Sequence, residues 1–208
     1  MRRKNIIKNI AIMGSSGGAG KDTVADMILE QSADMAPLEF SKISLSKGIY
    51  EICRKYGQQV QPTRYHLQSV GEVMRKIFGE NVWINYLDKS IDIDSDTKKT
   101  IIPDVRKLIE FSHYVIEKKF APLYVFTDEK TARNRLVDRD GGYNEEDLHR
   151  TIETQMNFVE TLPTRNIGNN GLKKVVDSGC FNEIYIIDNS GSLQSTEKQV
   201  KDWWNLFD

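Results

Sequence analysis

Apolar and polar residues along this chain fall into short blocks that alternate between the periods of strand and helix. Residues 6–13, Ile6-Ile7-Lys8-Asn9-Ile10-Ala11-Ile12-Met13, make a β-branched, largely apolar run that stops at Gly14. Such a run predicts a strand covered on both faces, because buried parallel strands lose the apolar–polar alternation. After a loop of small residues comes Asp22 to Leu29, where Val24, Met27 and Ile28 recur at helical spacing. Leu38 to Ile43 predicts a second short strand. From Ser44 to about Asp88 the pattern is helical with no clear strand. There Leu67, Val70, Val73, Met74 and Ile77 form a stripe of period 3.6, and Gly79 supplies a stop.

Ile93 to Lys99 reads as a polar loop, and Thr100-Ile101-Ile102-Pro103-Asp104 as a strand ending at an acid. Lys107 to Lys119 predicts an amphipathic helix, and Pro122 to Phe126 another strand. Arg133 to Arg150 is charge-dense, a helix and the start of a second one broken at Gly141-Gly142. Ile184 to Asp188 is the last predicted strand, before a helix from Ser195 to about Leu206. This order predicts one α/β domain over residues 1–208, a three-layer fold on a parallel sheet with right-handed crossovers. Its core takes in about 1–43 and 99–208, a helical insert about 44–98, and a short lid about 135–155.

Composition narrows the classes. With 29 Lys and Arg against 30 Asp and Glu in 208 residues, the formal charge is −1. A protein that binds nucleic acid through bulk charge is therefore excluded, and no stable nucleic-acid partner is expected. No run approaches 18 apolar residues, and the stretch after Met1-Arg2-Arg3-Lys4 is a poor signal peptide, so a cytoplasmic protein with no membrane partner is expected. Cys53 and Cys180 form no C-x-x-C pair and no His/Cys cluster, which suits a reducing compartment.

The chemistry concentrates between the first strand and the first helix, at Ser15-Ser16-Gly17-Gly18-Ala19-Gly20-Lys21-Asp22-Thr23. Small residues let the backbone curl so that successive N–H groups point inward, and the helix N-terminus adds positive potential. The lysine reaches the β- and γ-phosphates of a nucleotide. The strict pattern G-x-x-x-x-G-K-[ST] is broken twice. Its first glycine falls on Ser15, with Gly14 one place earlier, and its hydroxyl position is Asp22. Magnesium then has Asp22 or Thr23 as its nearest protein ligand. The residues imply ATP and Mg2+.

Asp104 closes an apolar strand and Arg106 follows it. At the carboxyl ends of the strands both side chains face the phosphate loop. There an aspartate can hold magnesium at one remove or take a proton, and an arginine can clamp an acceptor phosphate. Asp104 is equally well placed to cap the helix that follows. Arg133, Arg135, Arg139 and Arg150 flank the Gly-Gly hinge. Arginines that close over a transferring phosphoryl group lower its barrier, and of these Arg135 and Arg139 are the candidates. Lys47, Arg64 and Arg75 of the insert are candidate anchors for an acceptor phosphate. Tyr50, Tyr65, Phe78 and Trp83 suit stacking on a base or, for most of them, filling a core. His66, His113 and His149 have no partner at metal spacing.

These residues resemble the P-loop nucleoside monophosphate kinases. Gly20-Lys21-Asp22-Thr23 is similar to the loop of phage-type deoxynucleoside monophosphate kinases. So is Leu67-Gln68-Ser69-Val70-Gly71-Glu72 through Arg75 and then Trp83 to their helical substrate region, and Asp104-Val105-Arg106 to their Asp-Val-Arg. Arg135-Leu136 with Arg139, then Arg150 and Gln155, resembles the lid of dephospho-coenzyme A kinase. Asp188-Asn189-Ser190-Gly191-Ser192-Leu193 resembles that family's late motif, where the resemblance puts Asn189 near the adenine. It departs from that family at Asp22, where a Ser or Thr stands. The resemblance implies a three-layer P-loop NTPase fold with a helical substrate insert and a lid. It also implies transfer of the ATP γ-phosphoryl to a small nucleotide-like acceptor, most simply a (deoxy)nucleoside monophosphate. Dephospho-coenzyme A is the rival acceptor, and a P-loop regulator that slowly hydrolyses ATP is the reading from another class.

Overall fold

The computed structural model describes residues 8–57, 62–141, 155–176 and 183–207. Its centre is a seven-stranded sheet built from β1 (Ile10–Gly14), β2 (Glu39–Lys42), β3 (Lys98–Ile102), β4 (Ala121–Phe126), β5 (Thr164–Asn166), β6 (Lys173–Val175) and β7 (Tyr185–Asp188). The spatial order is β2-β3-β1-β4-β7-β6-β5. The first five in that order are parallel, so β1, β2, β3, β4 and β7 all deliver their carboxyl ends to one edge. Helix α1 (Lys21–Ser32) follows β1. The insert holds α2 (Lys47–Tyr56), α3 (Arg64–Phe78) and α4 (Val82–Asp88). Then come α5 (Leu108–Phe111), α6 (Glu129–Asp140) and α7 (Leu193–Trp204).

Both faces of the sheet are covered, which is why β1 reads as a continuous apolar run. Ile10 and Ile12 pack on one side with Val24 and Ile28 of α1 and Val200 and Trp203 of α7. Ala11 and Met13 pack on the other with Val105, Phe111, Tyr114 and Phe120. The insert has its own small cluster, Ile49, Cys53 and Trp83, against which Leu67, Val70 and Met74 lie.

Several expectations need correction. The sheet is parallel only in its five main strands, since β6 pairs antiparallel with β7 and β5 antiparallel with β6. Thr164-Arg165-Asn166 is wholly exposed and carries no alternation, so edge hydrogen bonding alone makes it a strand. The helix expected at residues 107–119 is short, because α5 runs on into a π-helical turn over Ser112–Glu117. The charge-dense helix starts earlier, at Glu129, and ends at Asp140 before Gly141 at φ 70°. The rest of that segment, with Arg150 and His149, lies outside the described residues. Of the four insert aromatics only Trp83 fills a core. Tyr50, Tyr65 and Phe78 are exposed, as are Val73 and Ile77 of the α3 stripe, because α3 has neighbours on one side only.

Candidate active site

The loop Ser15–Gly20 joins the buried end of β1 to α1, and its shape follows from its smallest residues. Gly18 and Gly20 hold φ of 86° and 85°, a region that side chains avoid. A Cβ at Gly18 would stand 2.7 Å from the Ala132 carbonyl of α6, and one at Gly20 only 2.2 Å from the Asn189 amide. Three elements clamp the loop from outside. Thr127, just past β4, donates its hydroxyl to the Ala19 carbonyl (2.9 Å), and its N–H donates to Ser15 Oγ (3.1 Å). Asn189, just past β7, donates Nδ2 to the same Ala19 carbonyl (2.8 Å) and accepts from Thr196 Oγ1 of α7 (2.7 Å). The loop is therefore braced by side chains from other elements.

Lys21 lies back along the loop. Its stem packs where a Gly14 Cβ would stand 3.0 Å away, and Nζ donates to the Ser16 carbonyl (2.9 Å). Arg135 of α6 reaches the other side of the loop. Its Nη2 donates to the Asn189 carbonyl (2.8 Å), while Nη1, 3.6 Å from the Gly20 Cβ position, is buried with no hydrogen-bond partner. A buried guanidinium donor left open in this way is able to take an anion. Arg139 is exposed in the last turn of α6, and Arg133 pairs with Glu129. Asp22 and Thr23 are exposed at the start of α1, with Asp22 3.7 Å from Lys42.

The carboxyl end of β3 forms the other wall. Asp104 is buried and engages the chain entering the insert. Its two oxygens accept from Leu45 N (2.8 Å), Ser46 N (3.1 Å) and the Ser44 hydroxyl. It thus holds the turn that leads into α2 and does not cap the helix that follows it. That second task falls to Glu110, whose Oε2 accepts from Arg106 N (2.8 Å) and Lys107 N (3.0 Å). Glu110 is 4% exposed, and its burial pushes the carboxyl above its ordinary range against the opposing pull of those N–H groups and of Arg75. Arg75 of α3 lies 3.6 Å from Glu110. Arg106 is exposed one turn away, Lys107 pairs with Glu80, and Gln155 Oε1 accepts from Leu108 N (2.9 Å). Gln155 is thereby tied to the start of α5.

The chain is 26% identical over 214 residues to a dephospho-coenzyme A kinase of Aquifex aeolicus (strain VF5), covering 94% of this chain and 95% of that protein. Among solved structures it is similar to a gluconokinase from Sinorhizobium meliloti 1021, with TM-score 0.53, 16% identity, and 97% and 94% of the two chains covered. It is likewise similar to TT1252 from Thermus thermophilus, with TM-score 0.51, 15% identity, and 97% and 98% covered. The fold is that of a P-loop kinase. No protein-family model matches the chain. The likeness to the dephospho-coenzyme A kinase runs almost the whole length, whereas the motifs alone suggested it for the C-terminal half.

Of the residues singled out by sequence, the fold brings Ser15 to Gly20, Lys21, Arg135 and Asn189 together at the loop, and Asp104, Arg75 and Arg106 at the end of β3. Lys47 begins α2 and is exposed. His66 belongs to the Thr63 capping box of α3, and His113 is bonded to Asp88 (2.8 Å), so neither stands at the loop. Sequence reasoning missed Thr127 and Glu110. The one signal for Thr127 was a polar residue ending an apolar strand; a Glu at N3 of a predicted helix is the signal for Glu110.

Proposed function

We propose that the chain is an ATP-dependent kinase of a small, nucleotide-like phosphorylated acceptor, with a (deoxy)nucleoside monophosphate as the substrate class. The observation that carries this reading is the pre-formed phosphate loop with Lys21 along it and the open Nη1 of Arg135 beside it. On nucleotide binding the Lys21 ammonium exchanges the Ser16 carbonyl for the β- and γ-phosphates, while the loop N–H groups hold their oxygens. Arg135, and Arg139 from the last turn of α6, meet the charge that spreads over the γ-oxygens in the transition state. Arg106, Arg75 and Lys47 hold the acceptor phosphate. Asn189 acts through the loop it braces, not by touching the adenine. Asp104, with both oxygens engaged, fixes the insert to the core.

An exposed carboxylate and hydroxyl, Asp22 and Thr23, are a donor set that suits Mg2+, which takes one or two protein oxygens and completes its shell with phosphates and water. Bound there, the ion would supply charge neutralisation between the β- and γ-phosphates.

The Aquifex likeness favours a second reading, in which dephospho-coenzyme A is the acceptor. Measuring ADP release with a panel of nucleoside and deoxynucleoside monophosphates and with dephospho-coenzyme A separates the two. A monophosphate is expected to raise turnover at least about 100-fold above the water background. Stimulation by dephospho-coenzyme A alone would select the second reading, and stimulation by nothing would leave an ATP-hydrolysing regulator.

A further inference from the structure

The insert sends a side chain to the donor site. Arg64, the first residue of α3, lies across the phosphate loop. A Cβ at Gly17 would be 3.3 Å from its Nη2 and 3.9 Å from its Nη1. The start of α3 is fixed in place by its cap. Thr63 Oγ1 accepts from His66 N (3.4 Å), and Thr63 N donates back to His66 Nδ1 (3.2 Å). Leu136 Cδ1 of α6 would stand 4.0 Å from the same Gly17 Cβ. Arg64 and Arg135 approach the loop at different points, one at Gly17 and the other at Gly20.

The same helix carries the acceptor side. Arg75 comes eleven residues after Arg64, which at 3.6 residues per turn is three turns on the same face, about 16 Å along the axis. Gly71 shares that face. Its missing side chain leaves room for Arg75 Nη1, 3.6 Å from the Cβ position, so this guanidinium lies back toward Arg64. One rigid element thus presents an arginine to each end of the reaction path.

Resting on the kinase reading above, we infer that Arg64 is a catalytic residue of the donor site, an arginine supplied in cis by the insert that touches the transferring phosphoryl group. It is not an anchor for the acceptor. In the step, the bond between the γ-phosphorus and the β,γ-bridging oxygen breaks, and its electron pair stays on the departing ADP. A bond forms between that phosphorus and an anionic oxygen of the acceptor phosphate, which has no proton to lose. Negative charge builds on the bridging oxygen and on the γ-oxygens, and two arginines from separate elements stabilise it better than one.

The test compares Arg64→Ala, Arg64→Lys and Arg75→Ala in the full chain, with circular dichroism to verify the fold. Arg64→Ala is expected to lower kcat about 100-fold or more with both KM values within about 3-fold, and Arg64→Lys to recover part of the loss. Arg75→Ala is expected to act mainly on the acceptor KM. A second measurement needs no acceptor. Titration with ADP plus aluminium fluoride, a mimic of the planar phosphoryl group, should weaken at least about 30-fold in Arg64→Ala while ADP alone binds within about 3-fold. Equal binding of the fluoride complex by wild type and Arg64→Ala, or an Arg64→Ala variant that keeps kcat and loses acceptor KM, would overturn the inference. Should wild type transfer to no acceptor at all, the kinase reading falls by itself, and the fluoride titration still decides the role of Arg64.

Discussion

The phosphate loop places its demands on single atoms. Lys21→Ala removes the ammonium that meets the β- and γ-phosphates but leaves the loop clamped by Thr127 and Asn189. Transfer should fall by about 1000-fold or more with little change in the melting temperature; kinetics and thermal unfolding on one preparation check both halves. Gly20→Ala is a different kind of change. Its Cβ would stand 2.2 Å from the Asn189 amide at a φ of 85°, so loop geometry and nucleotide binding should be lost together, as read by titration with a fluorescent ATP analogue. Glu110 makes a pH prediction. Its folded-state carboxyl titrates above its ordinary value of 4.5, so between those two points the folded state holds the extra proton. Stability contributed by this group is therefore largest below 4.5 and declines as pH rises through the raised value. Glu110→Gln keeps an oxygen for the Arg106 and Lys107 N–H groups and removes the titration, so its stability curve should be flatter on the neutral side than that of wild type. A steeper curve would contradict the assignment. The loop was legible in the sequence because its small residues, Gly20 and Lys21 stand next to one another along the chain. Glu110 was not, since its meaning depends on Arg75, thirty-five positions away and on another helix.

At the scale of elements, the insert depends on Asp104. Its carboxylate satisfies the Leu45 and Ser46 N–H groups of the turn just before α2, and its removal leaves them and the Ser44 hydroxyl without that partner. Asp104→Ala should cost about 1–2 kcal/mol, measured by denaturant unfolding, with acceptor KM rising as the insert loosens. A variant of unchanged stability whose kcat alone collapses would instead identify Asp104 as a group in the chemistry. The pattern of apolar residues predicted α1, α3, α7 and the five parallel strands because each buries a face with its own period. It did not predict β5 and β6, which bury little beyond Val175 and exist through pairing, β6 with β7 and β5 with β6. It also over-read α3, whose stripe contains five apolar residues although Val73 and Ile77 are half or more exposed. Periodicity records which residues share a face; how much of that face is covered depends on neighbours that a local window does not contain.

Over the whole molecule, a net charge of −1 conceals an ordered arrangement. Lys21, Arg64 and Arg135 surround the phosphate loop, and Arg75, Arg106 and Lys107 surround the end of β3. Some of the balancing acids lie on outer helices, Asp26 and Glu129 among them, while Glu80 and Glu110 pair within the second group. Attraction of two anionic substrates to such a cleft is screened by salt, so raising ionic strength from about 0.05 to 0.5 M should raise both KM values several-fold and change kcat less. Insensitivity of both would argue against a cleft built on charge. Among the described residues, no helix is long and apolar enough to cross a membrane.

By itself the sequence determined the order of strands and helices, the insert between the second and third strands, and the phosphate loop. Each is encoded by residues close together, through period, small side chains and a lysine at a helix start. The tertiary structure alone decided which turn Asp104 holds, that Glu110 lies buried against Arg75, and that Arg64 reaches Gly17 of the loop. The contacts of Asp104 with the Leu45–Ser46 turn and of Arg64 with Gly17 depend on how the insert packs on the carboxyl edge of the sheet. Contacts across such a distance in sequence are set by the shape of the folded chain and leave no periodic trace in it.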